Sequence, residues 1–475
     1  MSAFLGVWNA PTYVAGVDDT EFDVVKSLFA AWQEKYPRNL IRSSYYDMKV
    51  RLKPTGNIPV EAMQRIEAVS EWPEKAVSAL AERSVFEGFV TPGGEQDPFD
   101  LSGILSDNRF DLELPQAITS AYKHSCSFLT TAVGDTQSGE PPVLVMAREA
   151  LWSSALWDSR RRVVSAAMAI TSTDDAGQPV TMDVYLPYTV LSLERRPSGS
   201  WVAARRPNPL GEVLVEPLAY EPQLSRPFGR SRISRAVMNI TDRGLMTIVR
   251  SEIGSDFYAV PRTAILGVAA DAFRGGKWQA AIDAFLAFTK DEDGDKPTVQ
   301  NLPQMTMQPL TDMYRMIATQ FSGATGVPVS NLGIVTDNPP SAEALYADDR
   351  RLVNTARAQN RILGSSLKRV AQRVVRLRDG VEMSDELRRI DTSFANPAFT
   401  SPATSADALI KLANVFPWLS ESEVALEFAG FSHAEITRLL SDKRRAQAGS
   451  VLSQVLSRQT PTITGGQVQS GDQSG

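Results

Sequence analysis

Residues 230–258 read RSRISRAVMNITDRGLMTIVRSEIGSDFY, and the spacing of their apolar side chains predicts the first of three successive helices. The apolar positions in this segment are Ile233, Val237, Ile240, Leu245, Ile248 and Val249. Because they recur mostly at intervals of three to five residues, they predict a helix of roughly 25 residues. Residues 309–321 predict a second helix and residues 341–377 a longer one, so three helices follow one another along the chain.

Two long connections separate these helices. Residues 261–303 combine a possible strand, RTAILGV, with a short helix, KWQAAIDAFLAF, and an acidic turn, KDEDGDKP. Residues 329–340 are long for a link between helices and contain a Pro-Pro pair. Such a loop is typical of a functional segment or of a surface connector.

The first 220 residues combine helices with strands. The predicted helices are residues 19–36, 59–68, 73–83 and, broken near Pro115, the second half of 99–128. Asp18 or Asp19 is the predicted N-cap of the first helix. Residues 141–220 are rich in β-branched residues and turn signals, which predicts an antiparallel meander. Helices return after Pro397, and residues 459–475 are expected to be disordered.

Composition limits the classes of function. The chain has 475 residues, a net charge of -6 and a pI of about 5.3. Tight DNA binders are usually basic, so this balance disfavours tight wrapping of duplex DNA. The single cysteine, Cys126, excludes an internal disulfide and fits a reducing compartment. With no signal peptide and no apolar run of about 20 residues, we expect a soluble cytosolic protein without a membrane segment.

Catalytic and metal-binding patterns are incomplete. The two histidines, His124 and His433, are too few to complete a zinc site, and no G-x-S-x-G elbow is present. The string RGGK at 274–277 lacks the upstream glycine and the following Ser or Thr of a phosphate loop. The DEDGD turn at 291–295 lacks the Gly and Glu of a calcium loop, which leaves a solvated turn or a loose cation site. We therefore expect no active site, no cofactor and no metal centre.

The segment 350–378 carries nine Lys or Arg and no Asp or Glu, although the whole chain is acidic. One interpretation is a solvated face that balances charge or pairs with an acidic surface of a neighbouring subunit. The other is a basic surface that faces DNA or another ligand. The candidate residues are Arg350, Arg351, Arg357, Arg361, Lys368 and Arg369.

Several sequence blocks carry a family resemblance. They are Tyr45–Asp47, Asn208–Val213 followed by Val215–Leu218, Pro227–Ile233, Thr241–Arg243, Gly326–Pro328 and Asn338–Leu345. In this order they resemble the portal proteins of tailed double-stranded DNA phages, in particular the long-tailed actinobacteriophage branch. The resemblance covers about residues 20–440. Met48 departs from the pattern, since glycine is usual there.

The resemblance implies an α+β portal fold. Its parts would be a wing (1–229), a first stem helix (230–260), a clip (261–303), a second stem helix (304–328), a tunnel loop (329–340), a long wing helix and return (341–401), a helical crown (402–455) and a disordered tail (456–475). The residues that the resemblance places in the channel are Ser330, Asn331, Leu332, Gly333, Ile334, Val335, Thr336, Asp337, Asn338, Pro339 and Pro340.

The resemblance also implies a function and partners. The expected assembly is a homo-oligomeric ring of twelve subunits at one capsid vertex, through which double-stranded DNA is packaged and ejected. The expected partners are the terminase large subunit, the head–tail adaptor, the major capsid protein and the scaffold, in the host cytoplasm during assembly and then in the virion. The alternatives are another phage head or connector protein, or a metal-dependent DNA-processing enzyme.

Overall fold

The computed structural model describes residues 10–52, 66–91, 97–259, 263–266, 298–301, 306–334, 342–398, 402–422, 425–426, 429–431 and 433–458. The fold mixes helices with sheets that are antiparallel except for the parallel pairing of the first strand. By its internal contacts the chain divides into a first unit, Met1–Pro397, and a second unit, Ala398–Gly475.

The described α-helices are numbered in chain order. They are α1 (Asp19–Tyr46), α2 (Trp72–Ala81), α3 (Leu101–Asp107), α4 (Phe110–His124), α5 (Arg235–Ala259), α6 (Gln308–Thr325), α7 (Ala342–Asp379), α8 (Asp385–Arg388), α9 (Pro402–Val415) and α10 (His433–Arg458). The predicted long helices therefore correspond to α5, α6 and α7, with bounds that differ by a few residues.

The described strands follow the predicted meander and add short pairs outside it. They are β1 (Val14–Ala15), β2 (Phe86–Val90), β3 (Cys126–Val133), β4 (Val143–Glu149), β5 (Ser153–Asp158), β6 (Val163–Thr173), β7 (Pro179–Tyr185), β8 (Thr189–Arg195), β9 (Trp201–Pro207), β10 (Val215–Ala219), β11 (Thr263–Leu266), β12 (Thr298–Asn301) and β13 (Asp391–Phe394).

A six-stranded sheet with the order β1-β9-β8-β7-β6-β5 forms one layer, and α1 packs across it. Val25, Leu28, Phe29 and Trp32 are buried on the helix face that meets the sheet. The Trp32 indole donates to the Leu151 carbonyl over 2.8 Å. Asp18 caps the helix, because its carboxylate accepts from the Glu21 amide while the Glu21 carboxylate accepts from the Asp18 amide. The predicted N-cap is thus confirmed at Asp18.

A second core lies between α2, α4 and the three-stranded sheet β10-β3-β4. Leu114, Ala117, Ile118 and Ala121 are buried along α4, at the spacing of one helix face. The predicted break at Pro115 is therefore wrong. Proline removes one backbone donor, yet the buried face holds the helix continuous, and the chain turns instead before it, at Arg109, whose φ is 51°.

The predicted range of α1, residues 19–36, is also too short. The helix continues past Pro37 to Tyr46, because long-range contacts hold its second half. The Asn39 side-chain amide donates to the Ala150 carbonyl over 3.0 Å, and Arg42 donates to the His124 carbonyl over 2.6 Å. Residues 66–68, predicted to end a helix, are not helical, and the rest of that helix, 59–65, lies outside the described residues.

Helices α5 and α6 pack side by side in the first unit. The Arg243 guanidinium donates to the Gln320 side chain over 2.7 Å. Gly244 lets α5 approach α2, since a Cβ there would lie 2.9 Å from the Trp72 ring. Beyond these helices, β11 pairs with β12 in an antiparallel ladder. The predicted strand RTAILGV is thus partly confirmed, whereas the predicted helix and acidic turn lie outside the described residues.

The long helix α7 runs along β10 on one side and along the β13-β2 pair on the other. Gln359 donates to the Ala219 carbonyl over 2.8 Å, and the Ser366 hydroxyl donates to the Pro217 carbonyl over 2.9 Å. Gly364 permits close approach to β13, because a Cβ would come within 2.3 Å of the Thr392 hydroxyl. These contacts fix the axial position of α7 on the sheet.

The second unit contains α9, a short 3-10 helix (Pro417–Glu421) and α10. The helical character predicted after Pro397 is confirmed. The predicted disordered residues 459–475 lie outside the described residues.

Candidate functional site

The Pro227–Ile233 block places a buried arginine in the core of the first unit. Arg232 is 7% exposed and donates to the Ala76 carbonyl, to the Tyr220 hydroxyl over 3.1 Å and to the Thr325 carbonyl over 2.9 Å. One guanidinium therefore joins α2, the end of β10 and the C-terminus of α6. All of these acceptors are neutral, so the side chain supplies directional hydrogen bonds where an ion pair would be expected.

The block around Asn208 forms a closed turn. Its side-chain amide donates to the carbonyls of Pro187 and Glu212, each over 2.7 Å, and its side-chain oxygen accepts from the Leu210 amide over 3.1 Å. Gly211, at φ 66°, passes beneath the Tyr188 ring. The amide of one buried asparagine thus fixes the segment that leads into β10.

Gly229 in the next block occupies a position that only glycine fits. Its φ is 71°, and a Cβ there would lie 2.1 Å from the Tyr220 carbonyl oxygen. Two residues later, the Ser231 hydroxyl donates to the Lys123 carbonyl over 2.5 Å. The block therefore forms a tight connection between β10 and α5.

The first part of the predicted channel loop is described and is anchored to the core. α6 ends at Gly326, whose φ is 76°, and Val329–Leu332 form a 3-10 helix. Ser330, Asn331 and Gly333 are exposed. Leu332 is buried and Ile334 packs against the same core. Val335, Thr336, Asp337, Asn338, Pro339 and Pro340 lie outside the described residues.

Three arginines of α7 pair with two glutamates of the same chain. Arg373 contacts Glu216 over 2.9 Å, Arg369 contacts Glu216 over 3.4 Å, and Arg376 contacts Glu212 over 2.5 Å. Burial raises the pKa of Glu216, and the guanidinium charges of Arg373 and Arg369 oppose that shift. Part of the basic helix is therefore neutralised internally, which the sequence analysis missed. No local pattern could have shown this pairing, since Glu216 lies 153 residues from Arg369 and 157 from Arg373.

The remaining cations form a largely exposed stripe along α7. Arg350, Arg357 and Arg361 are exposed, and within the described residues these three and Lys368 have no carboxylate within ion-pair distance. Arg351 differs, because its guanidinium donates to the Gly323 carbonyl over 2.8 Å. The stripe therefore presents positive charge that the described part of the chain does not neutralise.

A surface cleft flanks each side of this stripe. One, of about 570 Å³, is lined by Arg350, Arg351, Asn354, Ala358, Ile362 and Glu221. The other, of about 500 Å³, is lined by Arg357, Arg361, Ser365, Lys368, Thr392 and Phe394. Five of the six candidate residues on α7 thus line a cleft, and the sixth, Arg369, belongs to the Glu216 pair.

Two titratable side chains that the sequence singles out, His124 and Cys126, are buried. Burial and the charges of Lys123 and Arg42 lower the pKa of His124 to about 2, so the imidazole is neutral and does not exchange protons near neutral pH. Burial raises the pKa of Cys126 to about 12, which keeps the thiol protonated. Across the described residues, no group of three or more His, Cys, Asp or Glu side chains is arranged to hold a metal ion. None of the helices in that part of the chain is long and apolar enough to span a membrane.

The chain belongs to the family of SPP1 Gp6-like phage portal proteins, whose family model matches residues 25–448. This is a family of structural proteins.

Two curated relatives share most of their length with the chain. The portal protein of Mycobacterium phage D29 is 27% identical over 450 residues, which cover 92% of each sequence. The portal protein of Mycobacterium phage L5 is 25% identical over 471 residues, which cover 95% of this chain and 94% of the relative. A solved chain from the neck of a native GTA particle, computed with C12 symmetry, overlaps 78% of this chain and 89% of its own length, at 13% identity and a TM-score of 0.43. That structural likeness is too low to support an inference about assembly.

Proposed function

We propose that this chain forms a ring of twelve subunits at one vertex of a phage capsid, with an axial channel for double-stranded DNA. The observation that carries the proposal is membership of the portal family over residues 25–448. The channel would admit the genome during packaging and release it at ejection. The terminase large subunit and then the head–tail adaptor would dock on it, and the major capsid protein and scaffold would surround it.

The order of elements supports an assignment of parts. Helices α5 and α6 would form the stem, and the β11-β12 pair would begin the clip between them. Residues 329–340 would be the channel loop, anchored by Leu332, with Ser330, Asn331 and Gly333 as its exposed described residues. The six-stranded sheet with α1 would form the wing, and the second unit would form the crown.

The charge of the chain suits a conduit. Twelve copies at -6 each carry a formal charge of about -72, and a negative wall repels phosphate so that DNA can slide. A wall that gripped each phosphate would instead slow translocation. An acidic channel therefore suits DNA translocation better than a basic surface that wraps DNA.

The cationic stripe of α7 would then face an acidic surface of the neighbouring subunit. In a cyclic ring each interface joins two different faces, so a cationic face on one side can meet an anionic face on the other. Arg350, Arg357, Arg361 and Lys368 support this role, because the described part of their own chain offers them no carboxylate.

Electron microscopy of the purified protein, together with its mass in solution, tests the proposal. Twelve copies of 52.0 kDa predict a particle of about 624 kDa with a central hole wide enough for duplex DNA. A ring of another copy number would keep the channel and change the stoichiometry. A compact monomer that cuts DNA in the presence of a divalent metal would overturn the proposal in favour of an enzyme.

A further inference from the structure

The hairpin between β5 and β6 carries three consecutive arginines at its tip, Arg160, Arg161 and Arg162. All three are exposed, and within the described residues none has a carboxylate at ion-pair distance. The positive charge is concentrated in this arginine turn although the whole chain carries -6. The described part of the chain therefore leaves the charge of the turn unpaired.

The lack of partners is particular to this turn. Three other arginines of the same sheet each pair with a carboxylate, namely Arg195 with Asp174, Arg205 with Glu21 and Arg206 with Asp183. The Asp158 carboxylate, at the base of the turn, instead accepts from the backbone amides of Arg160 and Arg161 over 2.9 Å and 3.0 Å. Three arginines less one aspartate leave residues 158–162 with a formal charge of +2.

Arg162 adopts a backbone conformation that favours glycine. Its φ is 55°, in the left-handed region, where a Cβ atom strains the backbone. Glycine or asparagine is the usual residue at such a turn position. A strained cationic side chain that pairs with no carboxylate in the described part of the chain indicates a contact with something outside the chain.

The arginine turn lies at the end of an arm that extends past the rest of the sheet. β6 pairs with β5 from Val163, but with β7 only from Ala167. Residues 163–166 therefore carry the turn roughly 13 Å beyond the end of β7. At the base of the arm the Trp157 ring packs edge-to-face on the Phe228 ring, with centroids 5.8 Å apart. The base is thus held by packing, while the charged tip is accessible.

We propose that the arginine turn binds the phosphate backbone of duplex DNA on a surface outside the axial channel, without sequence preference. Guanidinium groups bind phosphate through paired hydrogen bonds. Duplex DNA carries one negative charge per about 1.7 Å of its axis, so it can meet three adjacent cations at once. This density favours DNA over an acidic protein surface as the ligand.

The inference rests on the proposed function, since the packaged genome would supply the DNA. One turn makes few phosphate contacts, so a single copy binds weakly. Copies in a ring that contact the same DNA add their contacts and bind it more tightly. An acidic channel lets DNA slide, whereas the arginine turn holds DNA elsewhere on the protein.

Binding to a closed circular duplex tests the proposal, because a closed circle cannot be threaded through the channel by an end. The full chain is titrated into a small circle of mixed sequence at low salt, and binding is measured by electrophoretic mobility shift. Arg160→Gln with Arg161→Gln and Arg162→Gln should weaken the apparent affinity at least about tenfold. The salt dependence should also become shallower, since each lost phosphate contact removes about 0.9 from its logarithmic slope.

The matched control removes the same charge from another exposed surface of the first unit. It is Lys26→Gln with Lys35→Gln and Arg38→Gln on α1, where Lys26 and Lys35 already pair with carboxylates. The control should change the affinity for the circle very little. Equal losses in the two triple variants would mean that binding follows net charge alone, which overturns the inference.

Arg162→Gly separates the DNA contact from the stability of the turn. It should raise the melting temperature, because glycine relieves the strain at φ 55°, and it should weaken binding to the circle. A lower melting temperature with unchanged DNA binding would assign Arg162 to the fold alone and overturn its part in the contact.

The outcomes distinguish this contact from the ring. If wild type and the arginine-turn variant both form rings by microscopy and bind the circle equally, the arginine turn does not bind DNA and the ring stands. Weaker binding by the variant, when wild type forms no ring, would support the contact and refute the ring. Poly-glutamate should displace the circle poorly. Displacement as efficient as by linear duplex DNA would assign the turn to acidic proteins and overturn the inference.

Discussion

The Tyr45 hydroxyl donates to both carboxylate oxygens of Asp242, over 2.9 Å and 3.0 Å, and so joins α1 to α5 across 197 residues of sequence. Both residues belong to blocks that carry the family resemblance. Burial, followed by the hydrogen bond to Asp242 and its charge, raises the pKa of the phenol. The contact connects the proposed wing to the proposed stem.

Tyr45→Phe should lower the free energy of unfolding of the first unit by about 1.5–3 kcal/mol, the usual contribution of a hydrogen bond to a charged group. Urea titration followed by tryptophan fluorescence measures the change. Tyr13→Phe is the matched control, since Tyr13 is 69% exposed, and it should change the midpoint very little. Identical midpoints for wild type and Tyr45→Phe would show that the hydrogen bond contributes nothing net.

His124 should make the first unit sensitive to acid. The pKa of His124 is about 2 in the folded chain and near 6.5 in the unfolded chain. Between these two pH values only the unfolded chain takes up the proton. The stability that His124 contributes is present above pH 6.5 and is lost as the pH falls towards 2, by about 1.4 kcal/mol per unit. Unfolding free energies from pH 7 to pH 4 should fall more steeply for wild type than for His124→Gln. Parallel curves would contradict a buried neutral imidazole.

Removing the charge of only one partner of the Glu216–Arg373 pair should lower the free energy of unfolding strongly. Glu216→Gln removes the nearer carboxylate of the buried Arg373 guanidinium and leaves only Glu212, 3.8 Å away, so it should cost up to about 3–5 kcal/mol. The double variant Glu216→Gln, Arg373→Met should lose clearly less than the sum of the two single losses, because it removes both charges. The exposed pair of Asp23 and Lys26 is the control, and Asp23→Asn should cost less than about 0.5 kcal/mol. Additive losses at Glu216 and Arg373 would mean that the two side chains do not interact.

Substitution of alanine at two helical glycines should change the stability of the first unit in opposite directions. Gly364→Ala should destabilise the first unit, because the new Cβ would come within 2.3 Å of the Thr392 hydroxyl and force α7 away from β13. Gly323→Ala on α6 meets no atom within 4 Å and should stabilise the helix by about 0.5–1 kcal/mol. Thermal unfolding of the two variants compares them directly. A neutral or stabilising Gly364→Ala would contradict the close packing of α7.

Charge reversal on the α7 stripe should weaken the ring. Arg357→Glu with Arg361→Glu replaces two cations that the described part of their own chain leaves unpaired, so a neighbouring acidic face would be repelled. The ring fraction by analytical ultracentrifugation should fall, and more strongly at low salt. Arg160→Glu with Arg161→Glu, at an exposed turn of the sheet, makes the same change in net charge and serves as control. Intact rings in the first double variant would count against the interface.

The sequence alone determined the elements whose pattern is local. The helices α5, α6 and α7 were predicted because their apolar residues recur at helical spacing, and the meander that contains β4 to β10 was predicted from runs rich in β-branched residues separated by turn residues. Asp18 or Asp19 was predicted as the N-cap because each directly precedes the helical pattern, and the structure assigns the cap to Asp18. The family resemblance rested on motifs in a recognisable order, and the family match confirmed it.

The tertiary structure decided what depends on residues far apart along the chain. Glu216 lies 153 residues from Arg369 and 157 from Arg373, and no local period reports such a distance. Pro37 and Pro115 remain inside helices because packing against the sheets outweighs one missing backbone hydrogen bond. The same core buries Leu332, which its loop sequence alone would leave exposed. Local spacing sets which face of a helix or strand is apolar, whereas the path of the chain decides which residue meets it.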